Sequence, residues 1–257
     1  MSSLAAYIDW NTMMFVAIGF GAQLCDGALG MGFGVISSTV LTLIGLPRVI
    51  VSATVNTAKI LTGTASTVSH LAYKNVEWRT LAILGTGGVA GALAGSHMLL
   101  RMDSSRYIGP FISTYLIGVG IYIIWKASYV ERLRITMPRI AGIGIAAGFL
   151  EAVAGVWGPL ATSNLVASGL PPRLAVGVGN VAETLVAVIV SATLVNELGF
   201  DKLSRAAVGL VIGALIASPI AARLTANLPK RRLTIGVGVL VILSSSLRLA
   251  KETGLLG

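Results

Sequence analysis

The sequence predicts an all-α, polytopic membrane protein made of two inverted-topology repeats, each starting with a Gly-broken helical hairpin. Three observations predict it: long apolar runs with few charges, two runs too long for one crossing, and an internal repeat. The chain has 257 residues, of which 55% are hydrophobic and 11% charged, with mean hydropathy +0.86. A soluble domain carries about a quarter of its residues charged. In lipid only helices and closed barrels satisfy their own backbone, and continuous runs rather than alternation select helices.

Apolar runs cover 11–46, 49–73, 80–100, 107–126, 139–169, 174–196, 206–224 and 233–249. As one helix the first would reach ~54 Å at 1.5 Å per residue, too long for a core of ~30 Å. It is interrupted by "GALGMGFG" (Gly27 to Gly34), and the run over 139–169 by "AGVWGP" (Ala154 to Pro159). Each reads as two short helices meeting at a Gly-rich break. Residues 1–126 form the first repeat with its closing helix, 127–138 a basic cytoplasmic linker, and 139–257 the second repeat with its closing helix. The N-terminal "MSSLAAYIDWNTMM" lacks the basic region and cleavage site of a signal peptide, so it reads as part of the mature chain.

Both ends of a hairpin lie on one face whether it spans or re-enters. On that basis one face receives eleven basic residues: Lys74, Arg79, Lys126, Arg132, Arg134, Arg139, Arg173, Arg223, Lys230, Arg231 and Arg232. The other receives seven: Arg48, Arg101, Arg106, Lys202, Arg205, Arg248 and Lys251. The positive-inside rule makes the richer face cytoplasmic, with both termini outside, in a multi-pass membrane protein.

A shift of 124 residues aligns Gly45-Leu46-Pro47 with Gly169-Leu170-Pro171 and Asn56 with Asn180. Over Gly34–Gly63 against Gly158–Ala187 there are eight identities in 30 ungapped positions. "GAL" at Gly91 recurs at Gly213. An odd number of crossings separates the copies, so the second is inserted upside down, the plan of many secondary transporters.

Other classes fit poorly. The net charge of +9 lies in short loops between apolar runs, so nucleic acid is not a partner. The lone Cys25 rules out an intrachain disulfide and a cysteine metal cluster, and no cofactor or metal is expected. No catalytic constellation stands out. "GALGMGFG" lacks the preceding strand and following acidic residue of a dinucleotide fingerprint, so an enzyme is not expected.

Paired, Gly/Pro-interrupted segments mark a transporter's binding site, and half-helix ends within the membrane present N–H groups to anions. Gly32, Gly34 and Gly158 would supply those donors, with Ser37, Ser38, Thr162 and Ser163 beside them. Intramembrane ionisable residues are costly and face partners or cavities. Those here are Asp26, Lys59, Glu151 and Glu183. Lys59 and Glu183 are in repeat register, each three residues after an asparagine, so a helix presents Asn56 with Lys59 and Asn180 with Glu183. Lys59 either offsets an anion's charge or pairs with Glu183, Asp26 or Glu151, and both readings stay open. His70 and His97 read as interfacial, and Trp157 as packing within the second break.

"GMGFG" followed by "TLIGLPRVIVSATVNT", with a degenerate second copy "GVWGPLATSNLVASGLPPRLAVGVGN", resembles the TauE/SafE family of bacterial sulfite and organosulfonate exporters. The resemblance spans nearly the whole chain in length, hydropathy and duplication. It implies ATP-independent export of small sulfur-containing anions such as sulfite or sulfoacetate. Thr54 and Asn56 stand where the family's first copy has a small residue followed by Thr and Ser, whereas "GVGN" in the second copy lacks the hydroxyls. Together these features predict a secondary transporter with the anion between the hairpins. Asn56 and Asn180 orient it, and Asp26, Glu151 or Glu183 couples a proton. An anion channel and a non-transporting membrane subunit are the alternatives, and a homodimer is compatible with the sequence.

Overall fold

The computed structural model describes residues 10–29, 32–102, 108–128, 136–199, 203–225 and 230–254, and among them the regular secondary structure is entirely α-helical. In chain order the helices are α1 (Trp10–Leu29), α2 (Phe33–Leu43), α3 (Arg48–Ala72), α4 (Trp78–Met102) and α5 (Ile108–Ser128). They continue with α6 (Met137–Ala154), α7 (Ala161–Ala167), α8 (Pro172–Leu198), α9 (Ser204–Thr225) and α10 (Lys230–Glu252). Most of the linker placed at 127–138, part of the first break (Gly30 and Met31) and both chain ends lie outside the described residues.

Both over-long apolar runs divide where the sequence breaks them. α1 persists to Leu29 and α2 resumes at Phe33, so the first break is narrower than the eight residues of "GALGMGFG". α6 stops at Ala154 because Gly155 adopts a left-handed φ of 71°, with Val156 N–H bonded to Leu150 O at 3.3 Å. This is the Schellman arrangement that ends helices at glycine. The same device underlies both "GLP" motifs. Gly45 and Gly169 have φ of 96° and 89°, and the N–H groups of Leu46 and Leu170 reach Leu41 O and Leu165 O at 3.2 and 3.3 Å. The proline that follows cannot continue a helix and begins the next, α3 or α8.

α4 over Trp78–Arg101, α6 and α8 are long and apolar enough to cross a membrane, and α1, α2, α5, α9 and α10 contain shorter apolar stretches. α3, with 25 residues rich in Ser and Thr, is long enough but too polar to qualify. Outside the spans, Glu77 accepts the Thr80 N–H at 2.7 Å and the Arg79 N–H at 3.1 Å, capping α4. The hydrogen bond from Thr80 holds its carboxyl below the usual carboxylate range.

Packing relies on close backbone approach. α4 crosses α6 where Gly87, Gly91 and Gly95 face the backbone of Ala141, Ile145 and Phe149, so a side chain at any of them would collide. α9 crosses α1 similarly, with Gly213 against Val16 and Phe20. α5 meets α10 where Gly120 faces Gly238 O and Gly238 faces Gly120 O. Small residues are the usual means of helix association in lipid, where hydrophobic burial gives little drive between helices.

Contact order fixes direction. Between α3 and α8 the pairs Thr57–Ser191, Lys59–Glu183, Thr67–Thr184 and His70–Asn180 trend oppositely in number, so these helices run antiparallel. Between α4 and α6 the numbers rise together, so those run parallel. α4 also packs on α8, and α9 on α3.

Candidate functional site

α3 carries Arg48, Ser52, Asn56, Lys59, Gly63, Ser66 and His70 at spacings of three and four, so polar and small residues form one face along its whole length. Lys59 is the twelfth residue of α3 and Glu183 the twelfth of the antiparallel α8. Each therefore lies ~16 Å from its own helix start, about half the thickness of a hydrocarbon core. The register of two opposed helices brings a cation and a carboxylate together midway along both.

There the Lys59 ammonium donates to Glu183 Oε1 at 2.6 Å and to Glu151 Oε1 at 2.7 Å. Glu151 comes from the last turn of α6 and is fully buried; Glu183 is 21% exposed along its side chain. Glu151 Oε2 has no hydrogen-bond partner among the described residues. One ammonium thus serves two carboxylates. A group in place of a hydrogen on Gly34 would strike both the Lys59 ammonium and Gly155 O. The two hairpin breaks therefore touch each other and the lysine at one point.

Asp26 takes no part in that ion pair. From the last turn of α1, its Oδ1 accepts the N–H groups of Gly32 at 2.7 Å and Phe33 at 3.1 Å. The donors expected to hold an anion at the start of α2 are engaged by the chain's own carboxylate. The Gly32 N–H, expected to donate to an anion, here donates to Asp26, so the dipole end is neutralised from within, as a helix start within a protein commonly is.

A cavity of about 270 Å³ opens beside the ion pair, lined by Gln23, Asp26, Phe33, Lys59, Thr62, Gly63, Ser66, Asn180, Glu183 and Thr184. That volume is ample for a small ligand. Asn180 Nδ2 lies 3.2 Å from His70 Nε2, whose other ring nitrogen is 3.4 Å from Asn75 Nδ2. Thr67 donates to Thr184 at 3.1 Å. His70, expected to be interfacial, lies in the last turn of α3 and contacts Asn180, which lines the cavity. Among the described residues no cluster of His, Cys, Asp or Glu could hold a metal ion.

Of the residues singled out in sequence, Asp26, Lys59, Asn180 and Glu183 line this cavity, with Glu151 and Gly34 directly against Lys59. Asn56 is fully buried, and its amide donates to Ser52 O at 2.9 Å while Oδ1 has no partner among the described residues. Ser37 and Ser38 are buried on α2, and neither hydroxyl has a partner among the described residues. Gly158, Thr162 and Ser163 stand apart from the cavity: Thr162 packs on Gly179, and Ser163 N–H bonds Gly158 O at 3.2 Å. Trp157 is fully buried against Gly88, its indole donating to Gly179 O at 3.0 Å, so it packs α4 to α8. Thr62, Ser66 and Thr184 were missed in sequence, although reading α3 onward from Lys59 at helical spacing reaches Gly63 and Ser66.

The family model for the sulfite exporter TauE/SafE matches residues 15–247. A probable membrane transporter protein, YtnM, of Bacillus subtilis (strain 168) is 33% identical over 250 residues, covering 93% of this chain and 83% of the relative. No solved structure matches the chain significantly.

Proposed function

The chain belongs to the sulfite exporter TauE/SafE family and is a membrane transporter, not an enzyme, and from that premise we propose that it exports a small sulfur-containing anion by proton-coupled alternating access. Sulfite, sulfoacetate or a related organosulfonate is the substrate, and the bacterial cytoplasmic membrane, with both termini outside, is the setting. The observation that carries this reading is the buried Lys59 ammonium shared by Glu151 and Glu183 at the wall of a polar cavity.

Two carboxylates on one ammonium leave the site net negative when both are ionised, which repels an anion. Protonation of Glu183, the more exposed partner, removes one negative charge and releases one of the ammonium's hydrogen-bonding directions. An incoming sulfite or sulfonate oxygen then takes the place of the glutamate. Because coupling between two ligands is reciprocal, the bound anion equally favours protonation of Glu183. Asn180, Thr62, Ser66 and Thr184 offer hydrogen bonds to the remaining oxygens.

Inverted repeats supply the alternation. Exchanging the two halves exchanges α4 on α6 for α9 on α1, and α4 on α8 for α9 on α3; all four pairings occur. Helices that would map onto each other, α3 with α8, pack antiparallel, as a two-fold axis in the membrane plane requires. The cavity lies toward the α3 end that leads to Lys74 and the α8 end that begins near Arg173. Under the positive-inside rule this is the cytoplasmic side, where an exporter loads.

Purified protein in proteoliposomes tests the reading. Uptake of sulfite, thiosulfate, sulfoacetate or taurine should saturate, rise when the loading side is acidified, and fall strongly with Lys59→Met. Non-saturating flux that follows voltage alone would show a channel. No flux of any of these anions would remove the substrate assignment.

A further inference from the structure

The end of α3 is closed by a complete Schellman motif whose left-handed residue is Lys74, with φ of 53°. The Asn75 N–H bonds His70 O at 2.8 Å, and the Lys74 N–H bonds Leu71 O at 3.1 Å. A residue with a β-carbon is costlier there than glycine, so the cap depends on its surroundings. Asn75 is pinned on α8, where a side chain at Gly177 would strike Asn75 O. Gly177 lies three residues before Asn180, so α8 presents the two on one face. His70 is thereby fixed between two amides, with Nδ1 3.4 Å from Asn75 Nδ2 and Nε2 3.2 Å from Asn180 Nδ2. No charged group bonds the ring among the described residues.

A neutral imidazole carries one donor and one acceptor, so it cannot accept from both amides. Asn75 Oδ1 is buried and has no partner among the described residues. Turning that amide end for end gives the bare oxygen a donor, Nδ1–H, and leaves Nε2 to accept from Asn180. The bond made by one ring nitrogen sets the tautomer in this way. Asn180 lines the Lys59 cavity, and with Nδ2 engaged by His70 the end left to the cavity is the carbonyl oxygen Oδ1. Such an acceptor repels an oxyanion. One other arrangement satisfies the ring. With the proton on Nε2, Asn180 Oδ1 accepts it, Asn75 Nδ2 donates to Nδ1, and the Asn180 NH2 group faces the cavity. That arrangement leaves Asn75 Oδ1 bare, a cost that favours the first one while the cavity is empty.

We propose that His70 is a positioning residue whose tautomer selects which end of the Asn180 amide meets the transported anion. The empty site holds the proton on Nδ1 against Asn75. The loaded site holds it on Nε2, and Asn180 donates to an anion oxygen. One proton leaves Nδ1 and one arrives at Nε2, so the ring stays neutral and adds nothing to the proton carried by Glu183. The proposal rests on the export reading above. It assigns the preference of Asn180 for an acceptor ligand to His70 and Asn75, which stand behind the cavity wall.

The chain has two histidines, so isotope labelling of the histidine nitrogens in a His97→Gln background isolates His70. Nitrogen NMR of the full-length protein in phosphatidylcholine vesicles, at mildly alkaline pH where imidazole is neutral, reads which ring nitrogen is protonated. The proton is expected on Nδ1 without ligand and on Nε2 with saturating sulfite. Radiolabelled sulfite bound with the ring proton unmoved would overturn the proposal and leave the export reading standing. Absence of sulfite binding and of sulfite flux would overturn both. Flux gives a second readout, with size-exclusion profiles confirming folded variants. His70→Leu should raise the KM for sulfite about tenfold with the maximal rate little changed, the loss of one oriented hydrogen bond to a charged ligand. His70→Gln, whose amide can accept or donate near the position of Nε2, should restore it. Asn75→Ala removes the oxygen that holds the proton on Nδ1, so the loaded tautomer is reached more easily and the KM should fall severalfold. A KM in Asn75→Ala equal to or above that of the wild type would show that Asn75 only packs, and would overturn the proposal.

Discussion

Lys59 Nζ lies 2.6 Å from Glu183 Oε1, and the two residues stand 124 apart in the chain, the offset at which "GLP" and the asparagine recur. Matching positions of two related segments can touch only where a two-fold axis passes between them. The contact therefore marks the centre of the proposed pseudosymmetry. It also explains why one copy carries a lysine and the other a glutamate, since two identical charges at that point would repel. Divergence in charge is what permits the segments to meet in a buried setting. The arrangement stays asymmetric because Glu151 gives the lysine a second acceptor.

Removing the lysine leaves Glu151 and Glu183 facing each other without a cation. Breaking a buried ion pair costs about 3–5 kcal/mol, because the surviving charge is left uncompensated. Lys59→Met should therefore lower the thermal unfolding midpoint substantially as well as abolish anion flux. Adding Glu151→Gln and Glu183→Gln removes the stranded charges and should restore most of the midpoint but none of the flux. If the triple variant regains both, Lys59 is a structural pair and not a ligand group.

Glu183→Gln fixes the state that protonation would create. In the wild type, acidification should strengthen anion binding, since each protonated Glu183 releases part of the ammonium. The variant should bind tightly at neutral pH, with a flattened pH response and slowed turnover, because release needs the charge to return. Calorimetric titration with sulfite from mildly acidic to neutral pH checks this. An unchanged pH profile would place the proton elsewhere.

Much of this was legible in sequence because a membrane punishes interruptions. Gly-rich breaks in runs too long for one crossing and charges at mid-depth each cost too much to be incidental. The divided runs and the pairing candidates for Lys59 came from those costs. What was not legible depends on which side chains meet across helices. Nothing near Asp26 announces that it bonds Gly32 and Phe33, since its partners lie six and seven residues on, across a break. His70 lies near a helix end, and nothing in its sequence surroundings announces that antiparallel packing sets it beside Asn180. Arg48 was placed in a loop by charge counting, although it opens α3 and faces a cavity.

Gly34 tests the closeness of the two breaks. A methyl group there must push against Gly155 O and the Lys59 side chain, and overpacking of this kind costs about 1–3 kcal/mol. Gly34→Ala should displace the ammonium from the glutamates and reduce transport at least tenfold, with a smaller loss of stability than Lys59→Met. Gly118→Ala, on α5, has nothing near enough to collide and should leave both unchanged. Flux together with thermal unfolding measures the pair, and normal transport by Gly34→Ala would mean that the central contact opens without resistance.

Asp26 separates a capping carboxylate from a coupling one. Its Oδ1 accepts two amide protons at the start of α2, and an asparagine oxygen can do the same without charge. Asp26→Asn should therefore remain close to wild type in stability, whereas Asp26→Ala, which leaves both N–H groups without an acceptor, should lose about 0.5–2 kcal/mol, the usual cost of removing a cap. Flux through Asp26→Asn should keep its response to acidification, because Glu183 still titrates against Lys59. A flattened response in Asp26→Asn with a normal one in Glu183→Gln would move the proton from the ion pair to the cap. Alternation would then be driven at the hairpin break and not at the crossing of α3 with α8.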